Sequence, residues 1–142
     1  MAAQLVTSTG TESRALVERA VGALGQGDLE TLASCVADNV TWELVGQDYF
    51  PGGPVFAGKE ACVRELAPAA AAVYDLSTFS LTPRSVIAEG DTVAVEFGLT
   101  ATTARGRSYS NSYCLVFTVA EGLIRSVREY TDTRYAHRIL FG

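Results

Sequence analysis

The second half of the chain consists of long apolar segments joined by short connections that contain glycine, and this pattern restricts the fold more than any other feature. The segments cover residues 77–87, 92–103, 108–119 and 123–131, and the connections cover 89–91, 105–106 and 121–122. Short glycine-bearing connections are typical of β-hairpins. Strands longer than the usual length of about five or six residues require a sheet that twists and curls. We therefore predict a strongly curved, mostly antiparallel sheet.

The first half of the chain has a helical pattern. A helix is predicted from Thr11, with an apolar stripe formed by Leu16, Ala20, Val21 and Leu24. Asp28 is predicted to be the N-cap of a second helix, whose buried side would contain Leu29, Leu32 and Val36. Helices that precede an antiparallel sheet are typical of an α+β fold with helices covering one face.

Three further segments lie between these helices and the sheet. A short strand is predicted over 40–45, and residues 46–58 form a loop that is long enough to serve as a functional rim. A third helix is predicted over 59–74, with a kink near Ala67 because Pro68 interrupts it. We predict a flexible N-terminus over 1–10 and a single domain over 11–142, which suits a chain of 142 residues.

Composition excludes several classes of function. The net charge is −5, which disfavours a nucleic-acid partner. Three dispersed cysteines and the single histidine, His137, form no metal-ligating pattern, and no cofactor motif is visible, so neither a metal nor a cofactor is expected. We also expect a cytoplasmic protein without a membrane partner, because the sequence shows no signal peptide and no apolar run of about 20 residues.

Several motifs together resemble the SnoaL-like proteins of the nuclear transport factor 2-like (NTF2-like) superfamily. They are LVERAVGAL at 16–24, GDLE at 27–30, ADNVTW at 37–42, FAGKEA at 56–61, YSNSY at 109–113 and REYTD at 128–132. The resemblance covers about residues 14 to 135 and implies a cone-shaped α+β barrel. In this fold, N-terminal helices pack on a curved sheet that encloses an apolar pocket.

The resemblance implies several functions, because fold does not decide function. The first is a cofactor-free cyclase or isomerase that acts on a hydrophobic polyketide- or terpenoid-like molecule in secondary metabolism, such as antibiotic biosynthesis. The alternatives are an epoxide hydrolase or epoxide-opening cyclase, and a non-catalytic small-molecule-binding or interaction module.

Two known catalytic arrangements of the superfamily are incomplete in this chain. The positions that match the ketosteroid isomerase site, which is one of the standard examples of pKa tuning, are Leu44, Ala20 and Tyr113, so the base and one donor are missing. The positions that match the Asp–Arg–Asp set of limonene epoxide hydrolase are Gly98, Glu96 and Glu129. Of the two aspartate positions of that enzyme, one is occupied here by Gly98 and the other by Glu129. A single carboxylate therefore remains, and it is a glutamate.

The remaining polar residues of the implied pocket suggest acid/base chemistry. We predict Glu129 and Glu96 as catalytic carboxylates, because burial and a neighbouring carboxylate both raise a carboxyl pKa toward neutrality. Tyr113 and Asn111 are predicted to donate hydrogen bonds to a developing oxyanion. The predicted substrate-binding residues are Trp42, Leu44, Tyr49, Leu115, Phe117 and His137.

Structural alternatives remain for these glutamates. In the alternative for Glu129, its carboxylate forms an ion pair with Arg125 or Arg128 and has no catalytic role. In the alternative for Glu96, its side chain lies on a solvated outer face of the sheet.

A homodimer is predicted from the apolar row Val93, Val95, Phe97 and Leu99. If that row lies on the outer face of the sheet, a second copy of the chain would cover it.

Overall fold

The computed structural model describes residues 9–46, 50 and 53–142, and these residues contain four helices and six strands. The helices are α1 (Gly10–Gln26), α2 (Leu29–Cys35), α3 (Leu66–Val73) and α4 (Thr133–Phe141). The strands are β1 (Val36–Leu44), β2 (Val55–Ala57), β3 (Tyr74–Glu89), β4 (Thr92–Thr103), β5 (Ser108–Ala120) and β6 (Leu123–Thr131). The predicted α+β class is confirmed.

All six strands form one curled sheet in the order β2-β1-β6-β5-β4-β3. Strands β3 to β6 are an antiparallel meander, while β1 lies parallel to β6 and antiparallel to β2. The β3–β4 register shifts between Asp75 and Ser80 and again between Pro83 and Ser85. Such irregularities increase the local bend and twist of a strand. The sheet therefore curls without closing, and β2 and β3 form its two edges.

The predicted hairpins are confirmed, and β4 and β6 have the predicted bounds. Gly90, Gly106 and Gly122 in the three connections have φ angles of 60°, 81° and 74°. These angles lie in the left-handed region that glycine adopts without steric cost. Strand β3 begins at Tyr74, earlier than predicted, because its first residues pair with the end of β4. The short edge strand β2 lies in the segment that was predicted to be loop.

The apolar faces of the first two helices are largely as predicted, but Val36, which was predicted to lie on the second helix, is the first residue of β1. The N-cap of α1 is Thr9, whose hydroxyl accepts a hydrogen bond from the backbone N–H of Glu12 at 3.1 Å. Asp28 caps α2 as predicted and accepts a hydrogen bond from the N–H of Thr31 at 3.1 Å. The expected burial of Leu29 is wrong, since 39% of it is exposed at the start of α2. Among the described helices, none is long and apolar enough to cross a membrane.

Pro68 affects the third helix in a different way from the predicted kink. A π-helical turn, Ala61–Glu65, immediately precedes α3, and the helix then continues through Pro68 to Val73. The proline ring conflicts with a normal carbonyl position four residues earlier, at Arg64. A wider turn at that point relieves the conflict, so the helix is locally irregular and does not break.

The predicted outward orientation of the apolar row on β4 is wrong. Val93, Val95, Phe97 and Leu99 face the interior and are 0–6% exposed. Helix α1 packs against β3 and β4 and covers this face within the same chain. The observation that suggested a homodimer is therefore explained by intrachain packing, and the dimer itself stays a prediction.

Candidate active site

A small apolar cavity of about 90 Å³ lies between the inner face of the sheet and the helices that cover it. Its polar groups belong to Glu129 on β6, Tyr113 on β5 and Tyr74 at the start of β3. The other lining residues come from α1, α3, β1, β3 and β4 and from position 50, namely Leu24, Trp42, Leu44, Phe50, Ala70, Phe79, Leu81, Phe97 and Leu99. A carboxylate and two phenols thus share a cavity with walls that are otherwise almost entirely apolar.

The pairing of β5 with β6 directs Glu129 toward this cavity. Glu129 lies opposite Leu115, which is fully buried on the inner face. The indole Nε1–H of Trp42, on β1, donates a hydrogen bond to Glu129 Oε1 at 3.3 Å. Trp42 is only 2% exposed, so this donor is held in place by the core. A carboxylate offers several acceptor positions, and the Trp42 donor fixes the direction of one of them.

Three tyrosine hydroxyls form a connected cluster beside this carboxylate. The hydroxyls of Tyr109 and Tyr113 are 2.6 Å apart, and those of Tyr74 and Tyr113 are 3.4 Å apart. The side-chain Nδ2 of Asn111 donates a hydrogen bond to the hydroxyl oxygen of Tyr109 at 3.0 Å. All three tyrosines are buried, with 1–7% of each side chain exposed. We call Tyr74, Tyr109 and Tyr113 the tyrosine cluster.

Burial keeps the tyrosine cluster protonated. It raises the pKa of Tyr113, and the neighbouring phenols and Glu129 raise this pKa further. Burial is also the main cause of the raised pKa of Tyr74 and of Tyr109, with a contribution from the Glu129 charge. A phenol with a raised pKa remains a hydrogen-bond donor and does not act as a base near neutral pH. The tyrosine cluster can therefore donate hydrogen bonds near neutral pH, and the neighbouring Glu129 carboxylate can accept them.

The surrounding rings hold Tyr113 in one orientation. The ring of Phe97 stacks on the ring of Tyr113, with centroids 5.4 Å apart and an interplanar angle of 8°. Since Phe97 is 2% exposed, neither ring has room to turn freely. Fixed dipoles in a dry site stabilise developing charge more effectively than mobile ones.

Helix α4 lies close to one wall of the cavity. The ring of Phe141 on α4 meets the ring of Phe50 edge to face, with centroids 6.0 Å apart, and Phe50 lines the cavity. Asp132 caps α4 by accepting a hydrogen bond from the N–H of Tyr135 at 3.0 Å. The C-terminal segment thus forms a helix beside the part of the cavity wall that Phe50 supplies. Tyr49, a predicted binding residue, lies outside the described residues.

The prediction that Glu96 faces the pocket is wrong. On β4 it lies opposite Cys114, so its side chain shares the outer face of the sheet and is exposed. Ser85 Oγ donates a hydrogen bond to its carboxylate at 2.5 Å. On the same face, Arg84 lies across Gly98 and donates a hydrogen bond to Ser112 Oγ at 2.7 Å. Glu96 therefore interacts with the polar outer surface.

Of the other predicted site residues that the structure describes, some line the cavity and some do not. Trp42, Leu44, Tyr113 and Glu129 are brought together as predicted. Leu115 and Phe117 point inward but pack in the core without lining the cavity. His137 is exposed on α4, next to the ring of Phe141. Asn111 is half-buried behind Tyr109, so its amide does not reach the cavity directly.

Sequence reasoning missed two members of the tyrosine cluster. Tyr109 has the same strand parity as Asn111 and Tyr113, so continuing the alternation by one more step would have found it. Tyr74 was assigned to the end of a helix, which hid its position as the first residue of β3. Phe97 and Leu99 were missed because the faces of β4 were exchanged.

A larger depression of about 450 Å³ lies between α1 and β3. Phe79 and Leu81 line both this groove and the small cavity, so they form the wall between them. The charged residues of the groove are Arg14 and Glu18, which pair with each other at 2.5 Å on the exposed face of α1. The smaller cavity is the candidate site, because a carboxylate and phenols converge there in an apolar environment. Within the described part of the chain, no group of three His, Cys, Asp or Glu side chains is placed to hold a metal ion.

A curled sheet that wraps an apolar cavity, with helices over its inner face, defines the NTF2-like class of α+β cone proteins. Residues 17–127 match the family model of the SnoaL-like domain. The chain belongs to the SnoaL-like domain family, as the resemblance implied. No curated protein matches the sequence significantly.

Solved structures with this fold include proteins with different descriptions. An NTF2-like protein of unknown function from Burkholderia pseudomallei K96243 superposes with a TM-score of 0.83 at 18% identity, over 92% of this chain and 98% of that one. A putative SnoaL-like polyketide cyclase from Jannaschia sp. CCS1 gives a TM-score of 0.77 at 16% identity, over 97% of each chain. An LEH-like epoxide hydrolase from M. tuberculosis gives 0.72 at 23% identity, over 92% of this chain and 90% of that one. At these identities the likeness establishes the fold.

Proposed function

We propose that the chain is a cofactor-free isomerase or cyclase that moves protons on a small, hydrophobic molecule containing a carbonyl group. The observation that carries the proposal is the convergence of the Glu129 carboxylate and the Tyr113 hydroxyl in one apolar cavity. A base and a hydrogen-bond donor are the two groups that enolisation next to a carbonyl requires. The putative cyclase among the structural neighbours is consistent with such a role, and we place the reaction in secondary metabolism.

The proposed step is a reversible proton transfer. Glu129 takes a proton from the carbon beside the carbonyl. The electron pair of the broken C–H bond forms a C=C bond, and the π electron pair of the carbonyl moves to its oxygen. Tyr113 donates a hydrogen bond to the enolate oxygen that forms. The protonated Glu129 then returns the proton to the same carbon or to a conjugated one, and the double bond moves accordingly. No electron acceptor or second reactant is consumed.

The size of the cavity favours a compact substrate. A dry engineered cavity that binds benzene has a volume of about 150 Å³, whereas the cavity here encloses about 90 Å³. A single ring of the terpenoid type therefore suits the site better than a fused multi-ring polyketide. Such a ring would enter with a small outward displacement of Phe50 or Phe79, both of which line the cavity.

The epoxide hydrolase alternative has weaker geometric support. Of its three matching positions, Glu96 and Gly98 lie on the outer part of the sheet, and Glu129 is the one that lines the cavity. A single carboxylate would have to activate water while Tyr113 protonated the epoxide oxygen. The third alternative, a non-catalytic binding module, needs the same cavity but no proton transfer.

The test is hydrogen–deuterium exchange on the ring protons next to the carbonyl of cyclohexanone, followed by proton NMR in deuterium oxide. We expect the wild-type protein to accelerate exchange above the buffer rate. Glu129→Gln keeps the size of the side chain but removes the base. It should lower the protein-catalysed rate by roughly 100-fold or more, since general base catalysis contributes about 10²–10⁴.

Glu96→Gln is the matched control, because it makes the same change on the opposite face of the sheet, where the side chain is exposed. This variant should exchange cyclohexanone at the wild-type rate. Equal rates for Glu129→Gln and wild type would remove Glu129 from the chemistry. Binding without accelerated exchange in the wild type would favour the binding module.

A further inference from the structure

We propose that Asn111 is a positioning residue that sets the direction of the hydrogen bonds in the tyrosine cluster, so that Tyr113 donates into the cavity and the ligand atom beside it is an acceptor. This inference rests on the proposed function for the site but concerns a residue that does not touch the ligand. It assigns Asn111 a role different from the direct oxyanion donor predicted from the sequence.

Two backbone groups determine the orientation of the Asn111 amide. Asn111 Nδ2 donates a hydrogen bond to the carbonyl oxygen of Asp132 at 3.1 Å. Asn111 Oδ1 accepts a hydrogen bond from the backbone N–H of Ser112 at 2.9 Å. A carbonyl is only an acceptor and a backbone N–H is only a donor, so a flipped amide would lose both bonds.

The Asn111 amide in turn orients the hydroxyl of Tyr109. The other hydrogen of Asn111 Nδ2 points to the Tyr109 hydroxyl oxygen at 3.0 Å, so that oxygen acts as the acceptor. Tyr109 is then left with its own hydroxyl hydrogen, and the Tyr113 hydroxyl oxygen lies 2.6 Å away. This distance is that of a short, well-formed O–H···O hydrogen bond. Because this is the shortest contact of the Tyr109 hydroxyl, its hydrogen is assigned to this bond, with Tyr109 as the donor and Tyr113 as the acceptor.

The hydroxyl hydrogen of Tyr113 is directed toward the cavity. Since the oxygen of Tyr113 accepts from Tyr109, its own hydrogen must point elsewhere. The neighbouring Tyr74 hydroxyl is 3.4 Å away, which is long for an O–H···O hydrogen bond. The Tyr113 hydrogen is thus weakly engaged and faces the cavity that both residues line. A chain of donors polarised in one direction also strengthens its last member.

The ligand chemistry follows from this direction. The atom that binds next to Tyr113 is a carbonyl, ether or oxyanion oxygen, and a hydroxyl or amine that must donate at this point is disfavoured. Asn111→Asp is the most informative variant, because a carboxylate accepts where the amide donates. Tyr109 would then donate to Asp at position 111, and Tyr113 would donate to Tyr109 and point away from the cavity.

The test measures the infrared carbonyl stretch of cyclohexanone bound to the full-length protein, together with its affinity. In the wild type, the band should lie at lower frequency than in hexane, because the carbonyl accepts a hydrogen bond. In Asn111→Asp the band should move back toward the hexane value and binding should weaken roughly three- to tenfold, the effect of losing one neutral hydrogen bond. Asn39→Asp introduces the same change at an exposed site and should match the wild type.

Tyr109→Phe is the second variant, and it tests the same direction if circular dichroism shows that Asn111→Asp is unfolded. Tyr109→Phe preserves the buried ring and removes the donor to Tyr113, so the carbonyl band should move partway toward the hexane value. A wild-type band in folded Asn111→Asp, or in Tyr109→Phe, would overturn the inference, as would a wild-type protein that does not bind cyclohexanone. These outcomes are independent of exchange. A shifted band without deuterium exchange would reject the proposed function alone, and exchange with no effect of Asn111→Asp on the band would reject the inference alone.

Discussion

At the scale of single residues, two glutamates on neighbouring parts of the same sheet have opposite environments. Glu129 lines the apolar cavity beside Trp42, whereas Glu96 is exposed and accepts a hydrogen bond from a serine. The strand pairing explains the difference, because Glu129 lies opposite Leu115 and Glu96 lies opposite Cys114, which face opposite sides. A catalytic carboxylate needs the first environment, since desolvation strengthens its interactions with donors and substrate.

The tyrosine cluster predicts a specific alkaline behaviour. Its three pKa values are raised above the ordinary value of 10.0, so the folded state holds these protons more tightly than the unfolded state. The stability that the cluster contributes is therefore complete below about pH 10 and is lost as pH rises from there through the raised values. Ultraviolet titration should show less phenolate near pH 10 than six ordinary tyrosines would give.

Two comparisons check this titration. Denaturant should restore the missing phenolate absorbance near pH 10. Tyr113→Phe should reduce the phenolate absorbance that the folded protein develops well above pH 10. If the folded wild-type protein gave the phenolate absorbance of all six tyrosines near pH 10, burial of the cluster would be contradicted.

At the scale of helices and strands, most elements were predicted correctly from the sequence. The two faces of β4 were assigned to the wrong sides of the sheet. The hairpins of β3 to β6 were predictable because glycine at positive φ marks each connection. The faces of β4 were exchanged because the site was placed by resemblance to an epoxide hydrolase pattern. The rule that the more apolar row of an antiparallel strand faces the core would have placed Val95 and Phe97 inside.

Other elements had no clear local signal. Strand β2 has three residues and is held by pairing with β1, which a local pattern does not reveal. The start of β3 at Tyr74 depends on its long-range pairing with Thr103. The cavity itself combines residues from strands far apart in sequence, so composition and periodicity identify candidates but not their convergence.

Helix α4 gives a prediction at this scale. The Asp132 side chain accepts the hydrogen bond that caps the helix, and Ala136 and Leu140 bury its inner side. Asp132→Ala should lower the free energy of unfolding by about 1 kcal/mol, the typical effect of losing an N-cap. Urea denaturation followed by circular dichroism measures this change.

Asp38→Ala is the control for that measurement. It removes a carboxylate that faces Lys59 Nζ at 3.4 Å on the surface, where an ion pair contributes little. Equal unfolding free energies for Asp132→Ala and wild type would show that the cap does not stabilise α4.

At the scale of the whole molecule, the sequence identified the family and the fold but not the position of every candidate side chain. The ordered motifs between residues 16 and 132 identified the SnoaL-like cone, and the family match over 17–127 agrees with them. The homodimer rested on an apolar row that α1 covers within the chain, so it has no support from that row. The family match does not locate the site in this molecule. The two candidates are the small cavity, which contains a carboxylate, and the larger groove, which has no converging catalytic groups.

The most direct measurement of that choice is a crystal structure of the protein with bound cyclohexanone. The carbonyl oxygen is predicted to lie within hydrogen-bond distance of the Tyr113 hydroxyl, with the neighbouring ring carbon facing the Glu129 carboxylate. Electron density for the ketone in the groove between α1 and β3, with the cavity beside Glu129 empty, would contradict the assignment of the active site.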